Sequence, residues 1–356
     1  MDSLTLITSK KYKTIGELLK SPIKSIILVS NNEKNEDIKS YLYEWLYKNH
    51  YSNKNMIGNL TTRIKNISNK PCYYYIMKEC FNNIDCSNFN KTTKKILDHE
   101  CIQFIKTLHS TDSSLTGTFL DYLVRRIICE ITQKKFHDSR ANSKAVDTSE
   151  ISSVSWIETD EHIGFETDGI RKTHLPLNML ESYNKTQDTI SYKTQDIVLE
   201  VFTTSLSHSL AFGGCPKQEN LDNMVNLLQN DTNIVNLLII PLQELCLDLL
   251  KENPNILLNP ALGYPIELLD NKNIPADCDL VINNYLYDIK CTSGENSVYE
   301  ILQLLGYASL LNCNSRFHNK VDNISIINLL QGYIVNYDIS YITKDQMVNY
   351  LRFLTK

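Results

Sequence analysis

The sequence lacks the features that mark membrane proteins, zinc ribbons and nucleotide-driven motors. No apolar run approaches the roughly 18 residues of a membrane span, and the first residues lack the basic-then-apolar form of a signal peptide. The ten cysteines include no Cys-x-x-Cys pair, which argues against zinc ribbons and disulfides and favours reduced, buried thiols. No Gly-x-x-x-x-Gly-Lys-Ser/Thr loop occurs, so we do not expect ATP hydrolysis. These absences predict an intracellular, cytoplasmic protein without a membrane partner.

The charge of the chain is unevenly distributed. Its 356 residues, 42% of them hydrophobic, suffice for two domains or one large one, and the net charge is -5. Residues 1–110 hold 17 Lys and Arg against 10 Asp and Glu, a net +7, whereas the remainder holds 19 against 31, a net -12. We therefore predict a basic, largely helical N-terminal accessory region, 1–110, as the source of attraction for phosphates. Its Trp45 and Tyr73–Tyr75 either stack on single-stranded bases or belong to an ordinary helical core.

An Asp-rich hairpin is the most informative segment. A predicted strand over 276–282 and a second run, Tyr285–Ile289, flank Asn283-Asn284, a pair suited to a two-residue type I′ turn. In that register Ile282 pairs with Tyr285. Counting along the ladder then sets Asp279 opposite Asp288.

Opposed carboxylates in a strand pair need a neutralising partner. Their Cβ atoms would lie about 4.5–5.5 Å apart, where like charges are destabilising. Hard oxygen ligands favour Mg²⁺ or Mn²⁺ over zinc, and Lys290 points to the same face as Asp288, where it can hold an attacking water. The alternative is that one carboxylate is a strand-end charge and that Asp277 forms an ordinary cross-strand ion pair with Lys290.

The tripeptide Asp288-Ile289-Lys290 is not distinctive by itself. Asp37-Ile38-Lys39 repeats it, and Asp270-Asn271-Lys272 is a third Asp-x-Lys. The first of these lies in a polar run typical of a solvated loop or a helix start. Only the apolar strands around the 288–290 copy indicate a site.

Two amphipathic helices add candidates. The helix predicted over 297–313 sets Glu300, Gln303 and Tyr307 on one face. The helix predicted over 115–131 carries Asp121 and Arg125 at i, i+4. The alternatives are a half-exposed polar row on the first helix and a local ion pair on the second.

Taken in order, these segments resemble a known nuclease series. Gly117–Asp121, Asp279–Val281, Asp288–Lys290 and Gln303–Tyr307 resemble the motifs of the RecB-like branch of the PD-(D/E)XK nuclease superfamily, over roughly residues 111–340. In that branch a Gly-x-x-x-His helix, a Gly-x-x-Asp strand, an Asp/Glu-x-Lys strand and a Gln-x-x-x-Tyr helix surround one metal site. Two departures are Asp121 in place of the His and Ala276 in place of the Gly.

The resemblance implies a metal-dependent DNA nuclease. Asp121, Asp279, Asp288 and the Ile289 carbonyl would bind Mg²⁺ or Mn²⁺. The expected catalytic residues are Asp279, Asp288, Lys290, Gln303 and Tyr307. It also implies an α/β fold with a restriction-endonuclease-like mixed sheet flanked by helices, built from a nuclease core over 111–356 with an inserted loop and helical segment around 137–250.

The secondary-structure pattern fills in that core. Further strands are predicted at 256–258, 324–330 and 332–337, a hairpin at 156–177 with a turn near 167–169, and helices over 189–212, 220–252 and 344–354. Residues 137–155 are polar and predict a linker or loop.

Cofactors, partners and alternatives follow from the same resemblance. The CRISPR-associated RecB-like exonucleases are similar and often hold an iron-sulfur cluster through three cysteines after the Gln-x-x-x-Tyr motif; only Cys313 follows here, so no cluster is expected. Expected partners are single- or double-stranded DNA, a second copy in a homodimer and, by family analogy, a helicase. A composition rich in Asn, Ile, Lys and Tyr suggests an AT-rich giant-virus source, and hence a viral factory or virion. The alternatives are a catalytically silent DNA-binding or scaffold subunit and a metal-dependent phosphohydrolase acting on a small substrate.

Overall fold

The structure is a computed structural model. It describes residues 12–51, 58–82, 91–132, 154–158, 162–167, 171–176, 194–211, 216–230, 233–251, 254–263, 265–294, 298–317 and 320–355.

The chain alternates helical and extended segments. The helices of the described ranges are α1 (Ile15–Leu19), α2 (Ile23–Asn32), α3 (Glu36–Leu46), α4 (Leu60–Ile67), α5 (Lys70–Glu79), α6 (His99–Thr111), α7 (Ser113–Thr132), α8 (Thr194–Ala211), α9 (Gln218–Asn230), α10 (Ile240–Leu249), α11 (Val298–Cys313) and α12 (Lys344–Leu354). The strands are β1 (Lys91–Lys95), β2 (Val154–Glu158), β3 (His162–Thr167), β4 (Arg171–Pro176), β5 (Ile256–Leu258), β6 (Leu280–Ile282), β7 (Tyr285–Lys290), β8 (Asn323–Asn328) and β9 (Tyr333–Asp338). Short π-helical turns at Tyr47–Tyr51 and Val235–Ile239 continue α3 and precede α10, and Glu267–Leu269 is a 3₁₀ turn.

An open, mixed six-stranded sheet organises the molecule. Its order is β1-β9-β8-β7-β6-β5. The pair β7 and β8 is parallel, with α11 as the connection, and the other neighbours are antiparallel. Strands β2, β3 and β4 form a separate antiparallel sheet. The predictions of a mixed α/β class and of a largely helical N-terminal region are confirmed.

Most of the predicted elements are present, but several details were wrong. The segment predicted to be helical over 220–252 contains two helices, α9 and α10, with a π-helical turn before the second, and the strand predicted over 324–330 ends at Asn328. The strand predicted over 276–282 begins only at Leu280, because the preceding residues make a single bridge, Ala261 to Asp277. The hairpin predicted over 156–177 has three strands, and Val154 and Ser155 of the predicted linker belong to the first of them. Strand β1 had no apolar alternation to reveal it: its Lys-Thr-Thr-Lys-Lys side chains are all exposed. Lysines on an edge strand oppose edge-to-edge pairing with another chain. The rest of the predicted linker lies outside the described residues.

The sheet separates two hydrophobic layers. Helices α6 to α10 pack on one face together with Tyr287 and Ile289 of β7. Helices α4, α5, α11 and α12 pack on the other face together with Leu286. Because side chains alternate along a strand, Asp288 and Lys290 point toward the layer that contains α11. Helix α7 belongs to the opposite layer.

The N-terminal helices divide between a small core of their own and the second layer. Helices α1 to α3 enclose a separate apolar cluster. Helix α4 is joined to the rest of the chain by a backbone hydrogen bond from Leu60 to the Pro275 carbonyl (2.8 Å) and by Arg63, which donates to the Leu354 carbonyl (2.6 Å). A Cβ added at Gly306 of α11 would lie 2.9 Å from Leu60 Cδ2, so the missing side chain lets α4 approach α11 closely.

Two general properties complete the description. None of the helices in the described ranges is both long and apolar enough to cross a membrane. The eight cysteines within these ranges are free thiols, and all except the half-buried Cys291 are buried.

Candidate metal and nuclease site

The hairpin has the predicted register but a different turn. Ile282 pairs with Tyr285 and Leu280 with Tyr287, so the next position on each strand sets Asp279 against Asp288. Of the two turn residues only Asn283 has a positive φ, 54°. A type I′ turn needs positive φ at both central positions, so the turn-type prediction was wrong. The Asn283 carboxamide oxygen accepts a hydrogen bond from the backbone amide of Asn255 (3.0 Å), the residue before β5, and this contact stabilises the turn.

Asp279 and Asp288 stand together at the open end of this hairpin. Asp279 Oδ2 accepts a hydrogen bond from the Ile289 amide (2.8 Å), which fixes its carboxylate across the ladder. Burial raises the pKa of Asp288 to about 7; Lys290 opposes this shift, while the carboxylate of Asp279 adds to it. The site therefore concentrates negative charge where water cannot screen it.

Lys290 lies against Asp288 on the same face of β7. Its Nζ donates to Asp288 Oδ1 (3.1 Å) and lies 2.8 Å from Oδ2, the latter without hydrogen-bond geometry. Burial disfavours the ammonium, but Asp288 and Asp279 outweigh it and raise the pKa of Lys290. The observed ion pair of Lys290 is thus with Asp288, whereas Asp277 is exposed and bridges to Ala261. We call Asp279, Asp288 and Lys290 the carboxylate site.

Asp121 approaches the carboxylate site from α7 but is already engaged. Arg125 donates to its Oδ2, and the guanidinium lies 4.6 Å from the Tyr122 ring centre. This is the local Asp–Arg pair that the sequence allowed as an alternative. Burial raises the pKa of Asp121 to about 7, Arg125 opposes the shift, and Asp279 adds to it. The charge of Asp279 therefore acts on Asp121, although α7, which carries Asp121, lies in the opposite layer.

Helix α11 places its polar side chains beside the carboxylate site. Gln303 donates to the Tyr307 hydroxyl (2.9 Å) and to Thr61 Oγ1 (3.1 Å). Both side chains are buried, Gln303 at 5% and Tyr307 at 6% exposure, which excludes the half-exposed polar row. Burial, reinforced by Asp288 and Asp279, raises the pKa of Tyr307 well above its ordinary value, so its hydroxyl stays protonated.

Thr61 is the contributor that the sequence did not reveal. It is the second residue of α4, a helix whose start is marked by the Asn59 cap, with Oδ1 accepting from the Thr62 amide (2.9 Å). Hydrogen bonds from Thr61 also lower the pKa of Tyr299 and Tyr307 against the effect of burial. The cap predicts a helix start; nothing in the local sequence predicts that this start meets α11.

The oxygens of the site suit a hard divalent cation only in part. The buried Asp121 Oδ1 atom has no hydrogen-bond partner in the described structure, and Asp288 Oδ2 makes an ion-pair contact with Lys290 without hydrogen-bond geometry. Oxygen donors of this kind suit Mg²⁺ and Mn²⁺. In the described part of the chain, however, no three His, Cys, Asp or Glu side chains form a ready metal group. The residues that suit a divalent cation are Asp279, Asp288 and the Ile289 carbonyl. Asp121 is engaged in its ion pair with Arg125.

Comparisons with protein-family models, with curated proteins and with solved structures return no match. The resemblance to RecB-like nucleases and the roles that it implies therefore stay predictions, which rest on the residues of this chain alone.

Proposed function

We propose that this chain is a Mg²⁺- or Mn²⁺-dependent deoxyribonuclease that hydrolyses phosphodiester bonds at the carboxylate site. The observation that carries the proposal is the pairing of Asp279 with Asp288 in a buried hairpin beside Lys290. Burying the Asp288 carboxylate against the Lys290 ammonium is costly, and groups with such shifted pKa values cluster at functional sites.

The proposal includes the restriction-endonuclease-like fold and the RecB-like affinity. Its support is the mixed sheet, in which the hairpin β6-β7 is followed by α11 and by a parallel strand, β8. Helices α7 and α11 cover opposite faces of that sheet, in the two layers described above. The motif order along the sequence agrees with this arrangement.

In this proposal each residue has a separate task. Asp279, Asp288 and the Ile289 carbonyl would hold the cation, which when bound would lower the pKa of a water and offset negative charge at the reacting phosphate. Lys290 orients the attacking water through its ammonium, which its raised pKa keeps protonated at neutral pH. Asp121 completes the set of oxygen ligands once Arg125 shares its carboxylate.

The polar side chains of α11 position the scissile phosphate. Tyr307 stays a neutral hydroxyl and can donate a hydrogen bond to a phosphate oxygen. The Gln303 amide is oriented by Thr61 and Tyr307, with its Oε1 atom buried and unpartnered. Substrate binding is therefore expected to reorganise this amide.

The test is metal-dependent cleavage of DNA. Purified chain should degrade end-labelled linear or closed circular DNA with Mg²⁺ or Mn²⁺ and not with EDTA. Lys290→Ala should lower the rate by about 10²–10³-fold without loss of folding. The matched control is Lys272→Ala, an exposed lysine of another Asp-x-Lys tripeptide. Cleavage by Lys290→Ala at the wild-type rate would refute the proposal.

A second candidate is a silent nuclease fold that only binds DNA. One contact favours it: Arg125 pairs with Asp121, the carboxylate expected to complete the metal ligands. This candidate predicts DNA binding without metal-dependent products. It also predicts that Lys290→Ala and wild type behave alike in the cleavage assay.

A further inference from the structure

The N-terminal region contains a cleft that the proposed chemistry does not use. It has a volume of about 410 Å³ and lies between α3 and α5, with Val298 at the start of α11 in its lining. This volume is within the range of small-ligand pockets, roughly 300–1,000 Å³. We call it the lysine–tyrosine cleft.

One wall of the cleft is a single face of α3. Glu36, Lys39, Ser40 and Tyr43 line it, and their spacing of i, i+3, i+4 and i+7 places them on one side of a helix. Lys39 pairs with Glu36 over 3.0 Å. This wall is thus polar at its outer end, while the aromatic ring of Tyr43 lies deeper.

The opposite wall is a single face of α5. Lys70, Tyr73, Tyr74 and Met77 line it with the same spacing, and Lys78 follows. Tyr73 and Tyr74 are half-buried, whereas Tyr43 across the cleft is 5% exposed. The Tyr74 and Tyr43 rings pack 5.9 Å apart at 53°. The two half-buried rings thus retain exposed surface on which a planar group can stack.

Three lysines, Lys39, Lys70 and Lys78, line the cleft together with Glu36. Lys78 reaches Glu44 (2.9 Å), so its charge is partly offset. Lys70 is exposed at the first position of α5, and within the described structure it has no ion-pair partner. The cleft therefore combines ring surface with an available ammonium, which is the chemistry that a nucleotide requires.

The cleft adjoins the carboxylate site through the start of α11. Val298 lines the cleft, and the next residue, Tyr299, belongs to the environment of the site. Burial raises the pKa of Tyr299, Lys290 opposes that shift, Asp288 adds to it, and Thr61 hydrogen-bonds the ring hydroxyl. Tyr299 thus follows a cleft residue in α11 and shares its Thr61 partner with Gln303 and Tyr307, which joins the cleft to the polar side chains of the site.

We propose that the lysine–tyrosine cleft binds one unpaired base of a single-stranded DNA whose backbone continues to the carboxylate site. The base stacks on Tyr73 and Tyr74, and Lys70 pairs with the adjacent phosphate. Paired bases of a duplex are stacked on each other and cannot enter. The continuation to the carboxylate site rests on the proposed function; binding of the base does not.

The first test measures binding of a fluorescein-labelled single-stranded oligonucleotide by anisotropy in EDTA. A set of strands carries a single abasic site, placed at each position in turn. Wild type should bind the intact strand more tightly than those strands in which the abasic site falls at one or two particular positions. Tyr74→Ala should weaken binding by about tenfold and abolish this difference. Tyr341→Ala, an exposed aromatic elsewhere (42% exposed), should match wild type.

A second variant separates binding from folding. Lys70→Glu places an acidic residue in the first turn of α5, where it favours the helix. It should nevertheless weaken binding. The slope of log affinity against log salt concentration should fall by about 1, as expected for the loss of one phosphate contact. Lys106→Glu, an exposed position on α6, is the control and should bind like wild type.

The outcomes distinguish the two proposals. If both Tyr74→Ala and Lys70→Glu bind DNA as wild type does, the proposal that the cleft binds a base is wrong, even if wild type cuts DNA with Mg²⁺. Wild type that prefers duplex, or that does not discriminate against abasic strands, overturns it as well. Base-dependent binding that Tyr74→Ala removes supports the cleft, even if no cleavage occurs and the proposed function fails.

Discussion

The carboxylate site and the lysine–tyrosine cleft hold their charges in opposite ways. In the site the Asp288 side chain is 4% exposed and Lys290 is 22% exposed. Near the cleft Glu44 is 31% exposed and Lys78 is 36% exposed. The first pair is withdrawn from water, whereas the second remains in contact with it.

This difference in exposure predicts different effects of substitution at the two places. Desolvating an ion pair costs more than its attraction returns unless further contacts compensate, so a buried pair seldom persists for stability alone. Exposed pairs contribute about 0–1 kcal/mol. We therefore expect substitutions in the site to affect reaction and metal binding, and substitutions around the cleft to affect affinity and, slightly, stability.

The largest effect is expected for Asp288→Asn. Removing this carboxylate should lower cleavage by more than about 100-fold, since even outer-shell partners of metal ligands matter by 10–100-fold. Wild type should gain about 2.7 kcal/mol of unfolding free energy at Mn²⁺ concentrations 100-fold above its dissociation constant. Thermal unfolding with and without Mn²⁺ measures this gain, which Asp288→Asn should lose.

The matched control for this substitution is Asp277→Asn, an exposed carboxylate two residues before Asp279. It should retain both cleavage and the metal-induced gain. Equal losses in the two variants would show that general negative charge, and not the buried pair, attracts the metal.

Asp121→Asn should have an intermediate effect and tests the contribution of α7. The amide still accepts a hydrogen bond from Arg125, so most of the folding stability should remain. Metal affinity should fall by about tenfold, because a carboxylate that completes the ligand set is lost while the main pair persists. Titration of Mn²⁺ by calorimetry measures this shift. An unchanged affinity would show that Asp121 serves only its ion pair with Arg125.

Thr61→Val should have a smaller effect on catalysis. The change removes the hydroxyl that receives the Gln303 amide while it keeps the shape of the side chain. Cleavage should fall by about tenfold, from misplacement of Gln303 and Tyr307, with little change in melting temperature. Thr62→Val alters the neighbouring exposed position, whose hydroxyl donates to Asn59 Oδ1 (2.8 Å), and should leave the rate unchanged.

The smallest effect is expected from Glu44→Gln beside the cleft. Hydrogen bonds from Lys48 and then Lys78 lower the pKa of Glu44. A lowered folded-state pKa contributes stability that is present above the unfolded pKa of about 4.3 and is lost as the pH falls. The variant should therefore be less stable than wild type by up to about 1 kcal/mol at pH 7. Denaturant titrations should converge below about pH 4; a gap that persists there would point to packing instead of charge.

The elements that the sequence predicted well are those with a strong local signal. Helix α12 has the predicted bounds, and β6 and β7 have the predicted register, because period, capping and a two-residue turn specify them locally. The turn-type prediction was wrong because Asn284 does not adopt a positive φ; its carbonyl accepts hydrogen bonds from the amides of Asp322 and Asn323, at the distant start of β8. The predicted start of β6 was wrong because residues 276–279 contact a loop, through the bridge from Asp277 to Ala261, instead of pairing with a strand.

What the sequence concealed depends on contacts between distant segments. Strand β1 is recognisable only by its partner β9, and Thr61 only by the packing of α4 on Gly306. The candidate residues of β7 and α11 were identified because each motif lies within one element. Arg125 was visible as a helical neighbour of Asp121, but its burial at 2% exposure was not.

The pairing of β1 with β9 also has a consequence for folding during synthesis. The first strand of the sheet must wait for the last one, and α4 must wait for α11 before Thr61 meets Gln303. Contacts between such distant parts of a chain make folding slow, because the entropy of loop closure is lost before the contacts contribute stabilising energy. The nascent N-terminal third thus spends most of translation without its final partners: β1 pairs only after β9 is made, and Thr61 meets Gln303 only after α11 is made.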